Sequence, residues 1–136
     1  MTSVEDGGVG GCGLMGAGIA EVSARAGLDV VVVESSQAAA EAGRARLEAS
    51  LQRAESRGKL ASAQEVLQRI RVETELDALA DRGLVVEAIV EDEAVKVDLF
   101  KRLDQVVAAP DAILASNTSS IPIMKLGVVT LSLIHI

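Results

Sequence analysis

Aromatic side chains are almost absent from this chain, which has no tryptophan, no tyrosine and one phenylalanine, Phe100. Any core must therefore be aliphatic, and no ligand can be held by stacking on Trp or Tyr. Cysteine is as scarce. With Cys12 alone, no internal disulfide or cysteine-built zinc site can form, a reducing compartment is compatible and no metal site is expected. Positive charge is short too. The 13 Lys and Arg stand against 20 Asp and Glu, a net charge of −7, which argues against nucleic acid as a partner because such binders carry a basic patch. No apolar run approaches the roughly 20 residues of a membrane helix. Met1 to Asp6 has neither the basic nor the apolar region of a secretory signal. The expectation is a cytoplasmic protein without nucleic acid or membrane partners.

What is present suits layered α/β architecture. The chain has 136 residues, of which 49% are hydrophobic, chiefly Ala, Val, Leu and Ile, enough for one domain with a buried core. Leu14 to Gly27 places Met15, Ile19, Val22 and Ala26 at helical spacing, with Gly27 where a helix commonly stops. Leu28 to Val33 reads as a strand buried on both faces, ending at Glu34. Ser35 to Arg57, with Leu47, Leu51 and Ala54 on one face, and Ser62 to Arg69 predict two helices broken at Gly58, a helical hairpin. A short strand is expected at Ile70 to Thr74, a short helix at Leu76 to Asp81, and a buried strand at Leu84 to Val90. A helix from Asp92 to Ala108 carries Val95, Leu99, Leu103 and Val106 as its apolar stripe, and Ala112 to Ser116 forms a last strand. Alternating helices and buried strands predict a doubly wound parallel sheet with a helical hairpin inserted after the second strand. Asp6-Gly7-Gly8-Val9-Gly10 is the poor fit, because three glycines dilute the first strand that such a sheet needs and predict a weak one.

The turn Gly11-Cys12-Gly13-Leu14-Met15-Gly16 opens the first helix. Free backbone N–H groups without obstructing side chains are what a pyrophosphate at a helix start requires, and Gly11, Gly13 and Gly16 supply the turn, the close approach and the tight helix packing. Glu34 lies 18 residues beyond Gly16, where an acid accepts hydrogen bonds from the adenosine ribose hydroxyls and repels a 2′-phosphate, so the expected cofactor is NAD rather than NADP. Two further groups have competing readings. Asn117-Thr118-Ser119-Ser120 follows a strand at the sheet edge that binds ligands, and it also suits a simple capping turn. Glu91 and Lys96 belong either to a site or to the solvated start of a helix, with Glu91 near the positive dipole end.

Together these residues resemble the 3-hydroxyacyl-CoA dehydrogenases, most closely the bacterial short-chain 3-hydroxybutyryl-CoA dehydrogenases. The resemblance rests on Gly11 to Ala20, on Leu84 to Glu91 with Lys96, Leu99 and Phe100, and on Ala115 to Ile121, and spans about Val9 to Leu126. It implies a Rossmann domain over 1–126 in which Gly11, Gly13, Leu14, Met15, Gly16, Glu34, Glu91, Lys96, Asn117 and Ser119 hold NAD. By the same resemblance Ser119 also orients the reacting hydroxyl, and Ser50 and Arg57 of the hairpin approach the CoA moiety of an acyl-CoA substrate. The implied reaction is reversible hydride transfer between C3 of a short-chain 3-hydroxyacyl-CoA, such as 3-hydroxybutyryl-CoA, and the nicotinamide, with a histidine taking the hydroxyl proton.

The family's catalytic histidine stands about twenty residues past the serine, in a His-Phe-Phe-Asn-Pro-like segment, with its partner glutamate and a helical dimerisation domain farther on. This chain has one histidine, His135, 16 residues after Ser119 and without those neighbours. Residues 127–136 read as an unrelated tail. The expectation is an incomplete protein, lacking the C-terminal helical domain, that binds NAD weakly and does not turn over. Competing readings are a 3-hydroxyisobutyrate- or 6-phosphogluconate-type dehydrogenase, against which the hairpin and Glu34 count, and a non-catalytic NAD-binding or crystallin-like relative.

Overall fold

The computed structural model describes residues 6–11, 14–89, 92–107 and 112–116, and for Asp6, Leu14 and Met15 the backbone only. Within them, a β-branched run such as Val30–Val33 favours an extended chain, and its side chains need apolar cover on both faces. Both needs are met in a parallel sheet of β1 (Asp6–Gly10), β2 (Asp29–Val33), β3 (Ile70–Glu73), β4 (Leu84–Glu87) and β5 (Ile113–Ser116), ordered β3-β2-β1-β4-β5. All four of its pairings are parallel.

Helices cover both faces. On one lie α1 (Leu14–Arg25), α2 (Gln37–Ser56) and α3 (Ala63–Leu67), closing over Val9, Val30, Val32, Leu47, Leu51, Val66 and Ile70. On the other, α4 (Glu93–Val106) and a 3-10 turn at Leu76–Leu79 close over Val31, Val33, Leu79, Val85, Phe100, Leu103 and Leu114. Side-chain caps set three helix starts. Ser36 accepts from the Ala39 N–H at 3.1 Å, Ser62 from Glu65 at 3.3 Å and Asp92 from Val95 at 3.1 Å, each satisfying a donor that the helix leaves open. The α2–α3 hairpin is tied to α1 by Arg25 Nη2, which donates to the Lys59 carbonyl at 3.1 Å, and by Arg69 Nη1, which donates to that of Ala24 at 2.9 Å.

Several expectations are corrected. Of the stripe expected on α1, Ile19 packs against the core, whereas Val22 is 68% exposed and Ala26 is exposed, and the fully buried side chains are those of Ala17, Ala20 and Ala24; the side chain of Met15 lies outside the described residues. Small side chains face the core on α1. On α4, Leu103 is buried and Leu99 packs on the core as expected, but Val95 is 46% exposed and the other fully buried side chains are Lys96 and Phe100. The strand expected over Leu84 to Val90 ends at Glu87, and the helix expected at Leu76 to Asp81 is the shorter 3-10 turn.

The glycine-diluted first strand is formed and paired on both sides. β1 is the central strand, paired over five residues with β2 and over four with β4. A Cβ on Gly8 would stand 2.6 Å from Leu79 Cδ2 and 3.2 Å from Arg82 Cγ, so glycine there makes room for two buried side chains from the other layer. What the strand lacks in packing of its own, its neighbours fill.

Candidate functional site

Open parallel sheets bind ligands beyond the carboxyl ends of their strands, where the strand order reverses. Here that point lies between β1 and β4. The end of β1 is knitted to both neighbours: the Gly11 N–H donates to the Val33 carbonyl and the Ala88 N–H to that of Gly10, each at 2.9 Å. The chain then turns at Gly11, whose φ of +101° is left-handed territory suited to glycine. A Cβ on Gly16 would lie 2.0 Å from the Gly11 carbonyl oxygen. Only hydrogen fits there, so α1 starts directly against the turn, bringing a helix amino end and its open N–H groups to the switch point.

Beside the turn opens a cleft of about 280 Å³, lined by Gly10, Gly11, Glu34, Ser35, Thr74 and Arg102 and, on its apolar side, by Val33, Leu76, Ile89, Val95 and Leu99. Its volume lies at the lower end for small-molecule pockets. Glu34 follows β2 directly, its N–H donating to the Glu73 carbonyl at 2.9 Å. The structure thus brings Gly11, Gly16 and Glu34 into one region. Gly13, Glu91, Asn117 and Ser119 lie outside the described residues, as do the side chains of Leu14 and Met15. The cleft has the parts a dinucleotide needs. Its turn carries no Cβ where the backbone must be approached, and a carboxylate stands at the end of β2.

Lys96 is not a solvated residue at a helix start. It is 1% exposed, and its Nζ lies 3.2 Å from Oε2 of the fully buried Glu87. Glu87 Oε2 also accepts from the Ile89 N–H at 2.8 Å, and Oε1 accepts from the Ser116 hydroxyl at 2.5 Å. Sequence reasoning passes over Glu87 and Ser116, although a carboxylate within Leu84-Val85-Val86-Glu87-Ala88-Ile89 is a signal, because a buried charge needs a partner. It passes over Thr74 and Arg102 as well.

Ser50 and Arg57 are not at this cleft. Ser50 Oγ lies 3.0 and 3.1 Å from the two carboxylate oxygens of Glu21, in a separate groove between α1 and α2 that is also lined by Gly18, Arg46 and Arg53. Arg57 is exposed at the carboxyl end of α2.

A parallel sheet with this strand order, a glycine turn at its switch point and an acid after β2 define a dinucleotide-binding domain of the doubly wound class. Residues 7–132 match the family model of the 3-hydroxyacyl-CoA dehydrogenase NAD-binding domain. A 3-hydroxybutyryl-CoA dehydrogenase of Mycobacterium tuberculosis is 55% identical over 125 residues, 90% of this chain and 44% of that protein. A probable 3-hydroxybutyryl-CoA dehydrogenase of Deinococcus radiodurans is 52% identical over 121 residues, 88% of this chain and 43% of that protein. Among solved structures, M. tuberculosis FadB2 superposes with a TM-score of 0.95 at 50% identity, covering 98% of this chain and 48% of that one. The (S)-3-hydroxybutyryl-CoA dehydrogenase of Ralstonia eutropha gives 0.89 at 41%, covering 95% and 46%. The chain belongs to the 3-hydroxyacyl-CoA dehydrogenase family, over its NAD-binding domain, and NAD is the cofactor. It spans a little under half the length of these relatives. Among the described residues no helix is long and apolar enough to cross a membrane, and no cluster of metal-ligating side chains occurs.

Proposed function

We propose that this chain is the cofactor-binding part of a cytoplasmic short-chain 3-hydroxyacyl-CoA dehydrogenase acting on 3-hydroxybutyryl-CoA. The observation that carries the reading is the cleft at the switch point, with the Gly11–Gly16 contact on one side and Glu34 on the other. The glycine turn and the start of α1, including Gly13, Leu14 and Met15, cradle the pyrophosphate, and Glu34 accepts hydrogen bonds from the adenosine ribose. Glu91 stands at the approach to the nicotinamide half, with Lys96 behind it on its buried pairing with Glu87. Asn117 and Ser119 follow β5 and orient the nicotinamide and the substrate hydroxyl, while Ser50 and Arg57 of the hairpin meet the CoA moiety. Bound NAD supplies the hydride acceptor for oxidation at C3. The names of the relatives support the substrate class.

The 136 residues by themselves bind NAD without turning over. A general base contributes roughly 10²- to 10⁴-fold, and the single histidine, His135, lacks the sequence surroundings of the family's base. Acetoacetyl-CoA-dependent oxidation of NADH by the purified chain is expected to match the protein-free control. Steady turnover at the rate of an intact dehydrogenase would contradict this reading.

A further inference from the structure

Among the described residues, two charged side chains withdrawn from water lie together at the carboxyl edge of the sheet, Glu87 and Lys96. A buried ion pair is weak evidence for stability, because apolar side chains of the same volume often serve as well or better. Glu87 does more than neutralise Lys96. Its two oxygens gather a backbone N–H from the turn after β4, the hydroxyl that ends β5, and the ammonium of α4. The turn that it holds is also the wall behind the glycine turn. A Cβ on Gly11 would lie 3.0 Å from the Ala88 carbonyl oxygen and 3.2 Å from Ile89 Cγ2.

The sheet divides at its switch point. The half built on β1, β2 and β3 carries Glu34 and hence the adenosine side, leaving the edge of β4 and β5 for the nicotinamide side. We propose that Glu87 is a positioning residue for the nicotinamide half of the site, fixing the Ala88–Ile89 turn, the end of β5 and Lys96 in one arrangement; this rests on the NAD-binding reading above. It acts through these three groups.

The test compares two ligands. NADH spans both halves of the site, whereas ADP-ribose lacks the nicotinamide. In Glu87→Gln the amide oxygen still accepts from the Ile89 N–H, keeping the Ala88–Ile89 turn that also lines the cleft beside Glu34, while the carboxylate charge facing Lys96 is removed. Titration of the wild-type and variant chains is expected to show NADH binding weakened about tenfold, with ADP-ribose affinity unchanged within about twofold. Ser116→Ala, which leaves the ion pair intact, should move the same ratio by about threefold. A merely structural role would weaken both ligands in step, and an unchanged ratio in both variants overturns the proposal. Where Glu87→Gln binds neither ligand, Ser116→Ala decides: a shifted ratio supports the proposal and an unchanged one overturns it. A wild-type chain that binds neither ligand overturns the NAD-binding reading, and this one with it.

Discussion

The sheet carries a buried cation at each edge, and the two are built differently. At the amino edge Arg82 donates to the Asp29 carbonyl at 3.1 Å and lies 3.0 Å from Asp29 Oδ2 and 2.9 Å from Asp81 Oδ1. Its partner carboxylates are 51% and 71% exposed. At the carboxyl edge both Lys96 and Glu87 are out of water, and the remaining capacity of Glu87 goes to the ends of β4 and β5. Arg82 closes the bottom of the sheet, under Gly8, with partners that water can still solvate. The pair at the top has no such relief and stands beside the glycine turn. Ion pairing alone does not mark a functional site.

The largest effect expected is at the turn itself. Gly16→Ala forces a methyl onto the Gly11 carbonyl, where a 2.0 Å approach to backbone cannot be relieved by rotating a side chain. It should cost about 3 kcal/mol or more in urea unfolding and abolish NADH binding. Next come the two cations. Lys96→Met strands a buried carboxylate and should destabilise the fold by about 3–5 kcal/mol. Arg82→Met leaves exposed carboxylates and one open carbonyl, so about 1–3 kcal/mol is expected. Equal losses in paired denaturation curves would break the distinction between the edges.

Smaller again is the loss in Glu34→Ala, where missing charge-assisted hydrogen bonds should weaken NADH by about tenfold and narrow the preference over NADPH. The smallest effect is a pH dependence at the amino edge. The hydrogen bond from Arg82 holds the Asp81 carboxyl below its ordinary value, partly offset by desolvation. In turn the Asp81 hydrogen bond, then that of Asp29, holds the guanidinium above its own, against the cost of burial. Because the folded carboxyl is the stronger acid, its contribution is present above the unfolded value of 3.8 and is lost as pH falls through the lower folded one. In acid titrations the wild type and Asp81→Asn should differ by a constant amount above about pH 5 and converge as the pH falls below about 4.

Much of this is legible in the residues. The valine run marks β2, the helix starts expected at Ser35, Ser62 and Asp92 fall on or one residue before the observed caps, and the glycine turn with Glu34 locates the cleft. The face of α2 is legible, with Leu47 and Leu51 buried as expected, but those of α1 and α4 are legible only in part, because hydrophobic periodicity also selects large side chains such as Val22 and Val95 that stay exposed. Close packing of α1 on the sheet instead selects Ala17, Ala20 and Ala24. Three glycines look like a defect in β1 because the sequence holds no sign that Leu79 and Arg82, some seventy residues later, come to fill the space over Gly8. Glu87 reads as one residue of an apolar strand. Its partner Lys96 lies on the following helix, and no local period links a strand end to the next helix.

On the proposed function, NAD binds at the carboxyl edge of the sheet and the amino edge is structural. An amide-resolved NMR titration of the ¹⁵N-labelled chain with NADH tests it directly. Saturable shifts are expected at Gly10, Gly11, Glu34, Ser35 and Ile89, with Asp29, Asp81 and Arg82 unmoved. Shifts centred on Arg82 and its carboxylates, or a folded chain whose spectrum NADH leaves unchanged, would contradict it.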